Sequence, residues 1–327
     1  MAIIAACQVS CHAADRGALP RYDFIPFTGT NGLITHMSPN GQWITTSDGT
    51  VLKSGRIVGK FTGSPAQVTD TGIIRWASRA AGTTLAIPQL GSISNRTGFA
   101  WRMATFQGAT IRDINTKGQM VGYAYTADGQ PIPGVFGIDG SRTIFPYQRY
   151  LPVRINNRGD SLWRYAEDGY VSGMFIVTRK GEHIPILNDI VDNRRNQTSF
   201  STSRAVAGTG RTPNMNAIYY YWDPDIGTKI LSTKTRLFAG GVIRGMQMNE
   251  TGMLVAEKLN PDTVLIWPDP RRDQTPFEIN DRLAPKTLAR YTMGTPVAIS
   301  NEGVIALWGH DNMTKKPISG LLIPVRR

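Results

Sequence analysis

The chain has 327 residues, 41% of them hydrophobic, with 34 Gly and 20 Pro. That apolar content is enough for a packed core, the Gly and Pro suit many short strands and turns, and no unbroken apolar run approaches the ~20 residues of a membrane helix. A formal net charge of +12 favours anionic partners such as acidic glycans, lipid phosphates or nucleic acid, but the basic residues form scattered pairs (Arg194-Arg195, Arg271-Arg272, Lys315-Lys316) and no tract.

In chain order, residues 1–14 read as a signal segment. Ala2-Ile3-Ile4-Ala5-Ala6-Cys7 is small and apolar, and Ser10-Cys11-His12-Ala13-Ala14 resembles a small-residue cleavage site before Asp15. Ile4-Ala5-Ala6-Cys7 also resembles a lipoprotein box, which would make Cys7 the acylated residue. Cleavage after Ala13 or Ala14 would leave a mature chain without cysteine and so without a disulfide. The expectation is an exported protein, periplasmic, outer-membrane-associated or extracellular, with residues 15–327 forming a single domain.

From residue 37 onward a short signature recurs: an apolar residue, three variable residues, glycine, then a β-rich run. Its copies are Met37–Gly41, Val68–Gly72, Ile114–Gly118, Ile155–Gly159, Val206–Gly210, Met248–Gly252 and Ile299–Gly303. Strand-rich units repeating roughly every 40–50 residues along a whole chain predict an all-β, closed β-propeller. Seven signatures favour seven blades. Six is the alternative count, because the first blade is short and residues 88–107 resist assignment.

The third copy is the most legible. It predicts strands over Ala109–Asn115, Gln119–Tyr125, Gly134–Ile138 and Arg142–Phe145, with turns at Gly118, at Asp128-Gly129 and at Asp139-Gly140. Four short antiparallel strands make one blade. Third strands such as Ile218-Tyr219-Tyr220-Tyr221-Trp222 and Val264-Leu265-Ile266-Trp267 are apolar on both faces, as a sheet packed between two others requires. The last repeat supplies only three strands. Tyr22–Phe27 is a lone strand candidate at the other end, expected to pair near Leu321–Val325 and close the ring without exposed edges.

Asp113-Ile114-Asn115-Thr116-Lys117-Gly118-Gln119-Met120-Val121-Gly122-Tyr123, Ile155-Asn156-Asn157-Arg158-Gly159 and Tyr220-Tyr221-Trp222-Asp223-Pro224-Asp225-Ile226-Gly227 carry a further signal. They resemble the HAF-type extracellular repeats of bacterial secreted proteins. The likeness covers roughly residues 30–325, although the His-Ala-Phe triplet that names the family is absent. The resemblance implies an exported propeller and no particular reaction.

Candidate binding residues follow from propeller geometry, in which the first strand of each blade borders the central channel. Arg112, Arg154, Arg204 and Arg244 lie one to four residues before four successive signature residues, and His36, Gln67, Asp113 and Gln247 stand at the position immediately before a signature residue. Converging there, His36, Arg112, Asp113, Arg154, Arg204 and Arg244 would bind an anion at the channel mouth. Trp43, Trp76, Trp163 and Trp308 follow signature glycines on second strands, where packing between blades competes with a stacking platform as their role. Neither a metal nor a cofactor is expected, because the four histidines have no ligand spacing and no phosphate loop or nucleophile elbow occurs. The expected function is a binding module for an acidic glycan, another anionic polymer or a protein. A polysaccharide lyase or glycoside hydrolase at the channel mouth is the alternative, with His36, Asp70 and Asp113 among its candidates. Nucleic acid fits the charge but not export.

Overall fold

The computed structural model describes residues 20–28, 30–76, 82–93, 99–145, 149–167, 170–187, 198–211, 217–231, 245–258, 262–273 and 275–325. The predicted signal segment, both cysteines and Arg244 lie outside the described residues. The strands form seven antiparallel sheets of four. Blades one to six are continuous in sequence, over residues 34–60, 65–106, 109–144, 150–187, 198–231 and 247–278. Blade seven takes its three inner strands from residues 291–325 and its outermost from Arg21–Pro26. Phe24 pairs with Leu322 and Ile25 with Leu321, the closure expected from sequence. The count is therefore seven. The unassigned stretch in blade two is a long hairpin, Thr83–Ile93 paired with Phe99–Phe106.

Each seam between neighbouring blades holds its own apolar cluster, seven in all. The period-2 alternation of a strand explains the doubly apolar third strands. In blade five, Tyr219 and Tyr221 pack toward blade six with Trp267, whereas Tyr220 and Trp222 pack toward blade four with Leu162 and Met174. Trp43 and Trp163 are likewise buried in seams, while Trp308 is the most exposed of the four second-strand tryptophans.

The signature is the turn between the inner and second strands. The residue after the apolar position is Ser, Thr or Asn in every blade: Ser38, Thr69, Asn115, Asn156, Ser201, Asn249 and Ser300, all buried. In each, the side-chain oxygen accepts an N–H four or five residues later. These are Asx and Ser/Thr turns, which hold a buried turn closed by satisfying its backbone donors. Asn is long enough to do more: the Nδ2 groups of Asn115, Asn156 and Asn249 each donate to a carbonyl of the next blade.

Blade five corrects the expected register. Gly210 lies within its second strand, Val206–Arg211. The turn is Phe200-Ser201-Thr202-Ser203-Arg204, and Arg204 has φ 69°, occupying the left-handed place that glycine fills in the other six blades. Its Nε donates to Asp160 at 2.8 Å, so the side chain ties two neighbouring turns together. At the equivalent Gly72, φ is +81° and an added Cβ would collide with the Trp43 indole across the seam. Gly72→Ala is therefore expected to lose about 2–4 kcal/mol, from left-handed strain plus overpacking. Arg204→Gly should lose less, about 1–2 kcal/mol, because relief of strain offsets part of the cost of leaving the buried Asp160 without its cation. Thermal melts of the two variants check this contrast.

Candidate functional site

A β-bulge sets the wall of the axial channel. In blades one, two, three, four and seven the inner strand carries an extra residue immediately before His36, Gln67, Asp113, Arg154 and Ala298, and blade seven has a second register shift between Met293 and Pro296. A bulge twists the strand and redirects the side chains beside it. Pro65, Pro152 and Pro296 precede three of these bulges, where an inner edge strand tolerates a missing donor. With Ser199 and Gln247 from the remaining blades, the residues after the bulges form a ring around a cavity of about 200 Å³. All seven blades line it.

One half of the ring is internally satisfied. Gln67 donates Nε2 to the Ile114 carbonyl at 2.9 Å, and its Oε1 accepts from Arg75 Nε at 3.2 Å. Arg75, buried on the second strand of blade two, also donates to the Ile111 carbonyl at 3.1 Å. Asp113 Oδ2 accepts the Ile155 N–H at 2.8 Å. Arg154 Nε donates to the Thr198 carbonyl at 3.0 Å, while its Nη1 stands 3.6 Å from Asp113 Oδ1. Ser199 donates to the Met246 carbonyl. Thus blades two to six are laced together across their inner strands.

The other half is different. Neither the His36 imidazole nor the Gln247 amide makes a hydrogen bond among the described residues, and both line the cavity. The place between them in the ring belongs to Ala298 of blade seven. Arg154 also has capacity left. A guanidinium carries five N–H donors, and only Nε–H is hydrogen-bonded.

Electrostatics divide the channel along its axis. Burial, with repulsion from Arg75 and Arg154, pulls the His36 imidazole down to about 3. Burial also draws Arg75 down to about 10, against the pull of Asp113. At the turn end, Glu250 accepts Nδ2 of Asn157 from blade four and the Thr202 N–H of blade five, spanning two seams. Burial raises the Glu250 carboxyl, with Asp70 and Asp113 adding to the rise. Burial and Glu302 raise Asp70. The level of the ring is thus cationic, and the turn end is acidic.

The structure brings together His36, Asp113 and Arg154 of the predicted set. Arg112 is the extra residue of its bulge, exposed, with its guanidinium over the Tyr123 ring at 5.8 Å. Arg204 is not on an inner strand; it occupies the turn, committed to Asp160. Reading Gly210 as the signature glycine caused that misplacement. Sequence reasoning missed Arg75 and Glu250. The signal for Arg75 was a lone cation inside the apolar run Ile73-Ile74-Arg75-Trp76. Glu250 had none, since its reach across two seams depends on ring closure.

Among solved structures the chain is similar to propeller proteins at low identity. The β-propeller domain of the trilobed protease from Pyrococcus furiosus is 10% identical, with 92% of this chain and 85% of that one covered and a TM-score of 0.48. TolB from Acinetobacter baumannii is 12% identical over 72% of this chain, which spans about half (51%) of that structure, with a TM-score of 0.43. A gluconolactonase from Xanthomonas campestris is 12% identical, covering 94% and 99%, with a TM-score of 0.42. No protein-family profile and no curated protein matches the sequence. The fold defines the class, an all-β propeller, and these likenesses extend no further than that class.

Proposed function

We propose that this protein is an exported binding propeller of the cell envelope or exterior that engages an acidic glycan, or another anionic polymer, at its axial channel. The observation that carries this reading is Arg154, which projects into a cavity shared by seven blades with N–H donors unspent. The formal charge of +12 would draw a polyanion toward the surface. The small apolar start, and the resemblance to HAF-type repeats, support export. A lyase or hydrolase is the weaker reading. An imidazole held near 3 is a poor base at neutral pH, and Asp113 is engaged by Ile155 and Arg154.

The test is Arg154→Ala measured against an oligogalacturonate by calorimetry at several salt concentrations. Affinity should fall roughly tenfold, the scale of one charge-assisted contact. The salt dependence should flatten, because a charged contact is lost. A folded variant with unchanged affinity and salt slope would remove Arg154 from the site.

A further inference from the structure

We infer that the axial cavity seats a single hexuronate ring, its carboxylate directed to Arg154 and its hydroxyls held by His36 and Gln247 beside Ala298. This rests on the proposed reading of an anionic glycan and specifies which part of it enters the protein.

Size is the first argument. A cavity of about 200 Å³ lies below the ~300 Å³ at which pockets for drug-sized ligands begin. It has room for one sugar ring, and because it is partly open to solvent the rest of a chain can lie outside it.

Satisfaction is the second. His36 and Gln247 are half-buried at the cavity wall, where a polar group without a protein partner is free to meet a ligand. Around the ring, Gln67, Asp113 and Ser199 find theirs in the protein. The groups without protein partners are concentrated on blades one and six, with the short Ala298 leaving space between them. A neutral imidazole and a carboxamide each offer one face that donates and one that accepts. A sugar hydroxyl both donates and accepts, so it matches either. Met248, Val297 and Ile299 also line the cavity and supply an apolar surface for the C–H face of a ring.

Charge is the third. Arg154 lies near enough to His36 to repel its proton, so the two share one electrostatic space. Arg154 and Arg75 provide two positive charges, and Asp113 provides one negative charge beside them. Glu250 stands at the turn end and feels Asp113. With Glu250 ionised these charges cancel, so it is the unspent N–H donors of Arg154, the one guanidinium lining the cavity among the described residues, that match one carboxylate. A dianionic phosphate would meet Asp113 and Glu250 with its second charge. The cavity therefore selects a monoanion with several hydroxyls.

The experiment is isothermal titration of the full chain with galacturonate, glucuronate, glucose and a galacturonate oligomer. Both monomeric uronates are expected to bind, with glucose at least tenfold weaker. His36→Leu and Gln247→Leu should each weaken the uronates tenfold or more, while circular dichroism and melting show an intact fold. Two separate variants guard against one failing to fold. Oligomer binding without monomer binding would overturn the single-ring seat and leave the channel-mouth reading standing. Failure of both to bind would remove both. Equal binding of glucose and uronate, or folded variants that bind uronate as the parent does, would also overturn the inference.

Discussion

Removing the N-terminal strand Arg21–Pro26 is expected to abolish the sharp thermal transition of this protein. That strand is the fourth of blade seven, and its hydrogen-bonded ladder with Pro317–Val325 joins the two ends of the described chain. Six residue pairs, Arg21 with Val325 through Pro26 with Gly320, would be lost. Tyr22, 2% exposed, would leave the seam between blades six and seven, and Phe24 would leave its edge-to-face contact with Tyr291 at 5.0 Å. Each large aromatic removed from a core costs about 3–5 kcal/mol, and whole domains have only ~5–15 kcal/mol to lose. The strand Pro317–Val325 would then present an unpaired edge, a template for aggregation. Circular dichroism melts and size-exclusion chromatography should show a broadened, lowered transition and self-association. A truncated chain that stays monomeric and melts within a few degrees of the parent would show that closure contributes little. Tyr22→Phe provides the contrast. Among the described residues the buried Tyr22 hydroxyl has no hydrogen-bond partner, so its removal should leave stability equal or slightly higher.

Acidification should destabilise the protein through His36, by an amount that a single substitution removes. In the folded state its imidazole resists protonation until about pH 3, against an ordinary value of 6.5. Between those limits the unfolded chain holds more protons than the folded one. Stability therefore falls as pH drops through that window and is fully retained above 6.5. The slope is about 1.4 kcal/mol per pH unit, which amounts to about 3 kcal/mol two units below the ordinary value. His36→Gln keeps a polar side chain in the ring and cannot take up the proton. Melting temperatures of parent and variant should coincide above pH 7.5 and diverge below 6, with the variant higher. Carboxylates titrate in both proteins, so the difference between the curves isolates His36. Parallel curves down to pH 4 would mean that His36 protonates freely in the folded state.

Much of this architecture was legible in the sequence. The strands of blade three fall where turn residues and alternation placed them; Gln119–Tyr125 matches residue for residue. The closing strand was legible too, because an incomplete last repeat and an orphan first strand answer one another. Both readings depend on local chemistry: Gly at left-handed turns, period-2 apolar alternation, and Asn or Ser beside a turn.

The site was legible only in part. His36, Asp113 and Arg154 were found because they hold one repeat position. Arg204 was misplaced because its turn lacks glycine; an arginine tied to Asp160 holds the left-handed conformation in its stead. Arg75 and Glu250 were invisible because no repeat position marks them.

The sequence by itself determined the repeat, the strands, the seams and the means of closure, since each of these is set by neighbours a few residues apart or by the period of the chain. Only the tertiary structure decided which polar side chains face the axis and which of them remain unsatisfied. An inner-strand bulge shifts side chains by one residue without a sequence mark. The partners of a channel residue come from blades 40 or more positions away, as Gln67 finds Ile114 and Asp113 finds Ile155, and only closing the ring brings them within hydrogen-bond range.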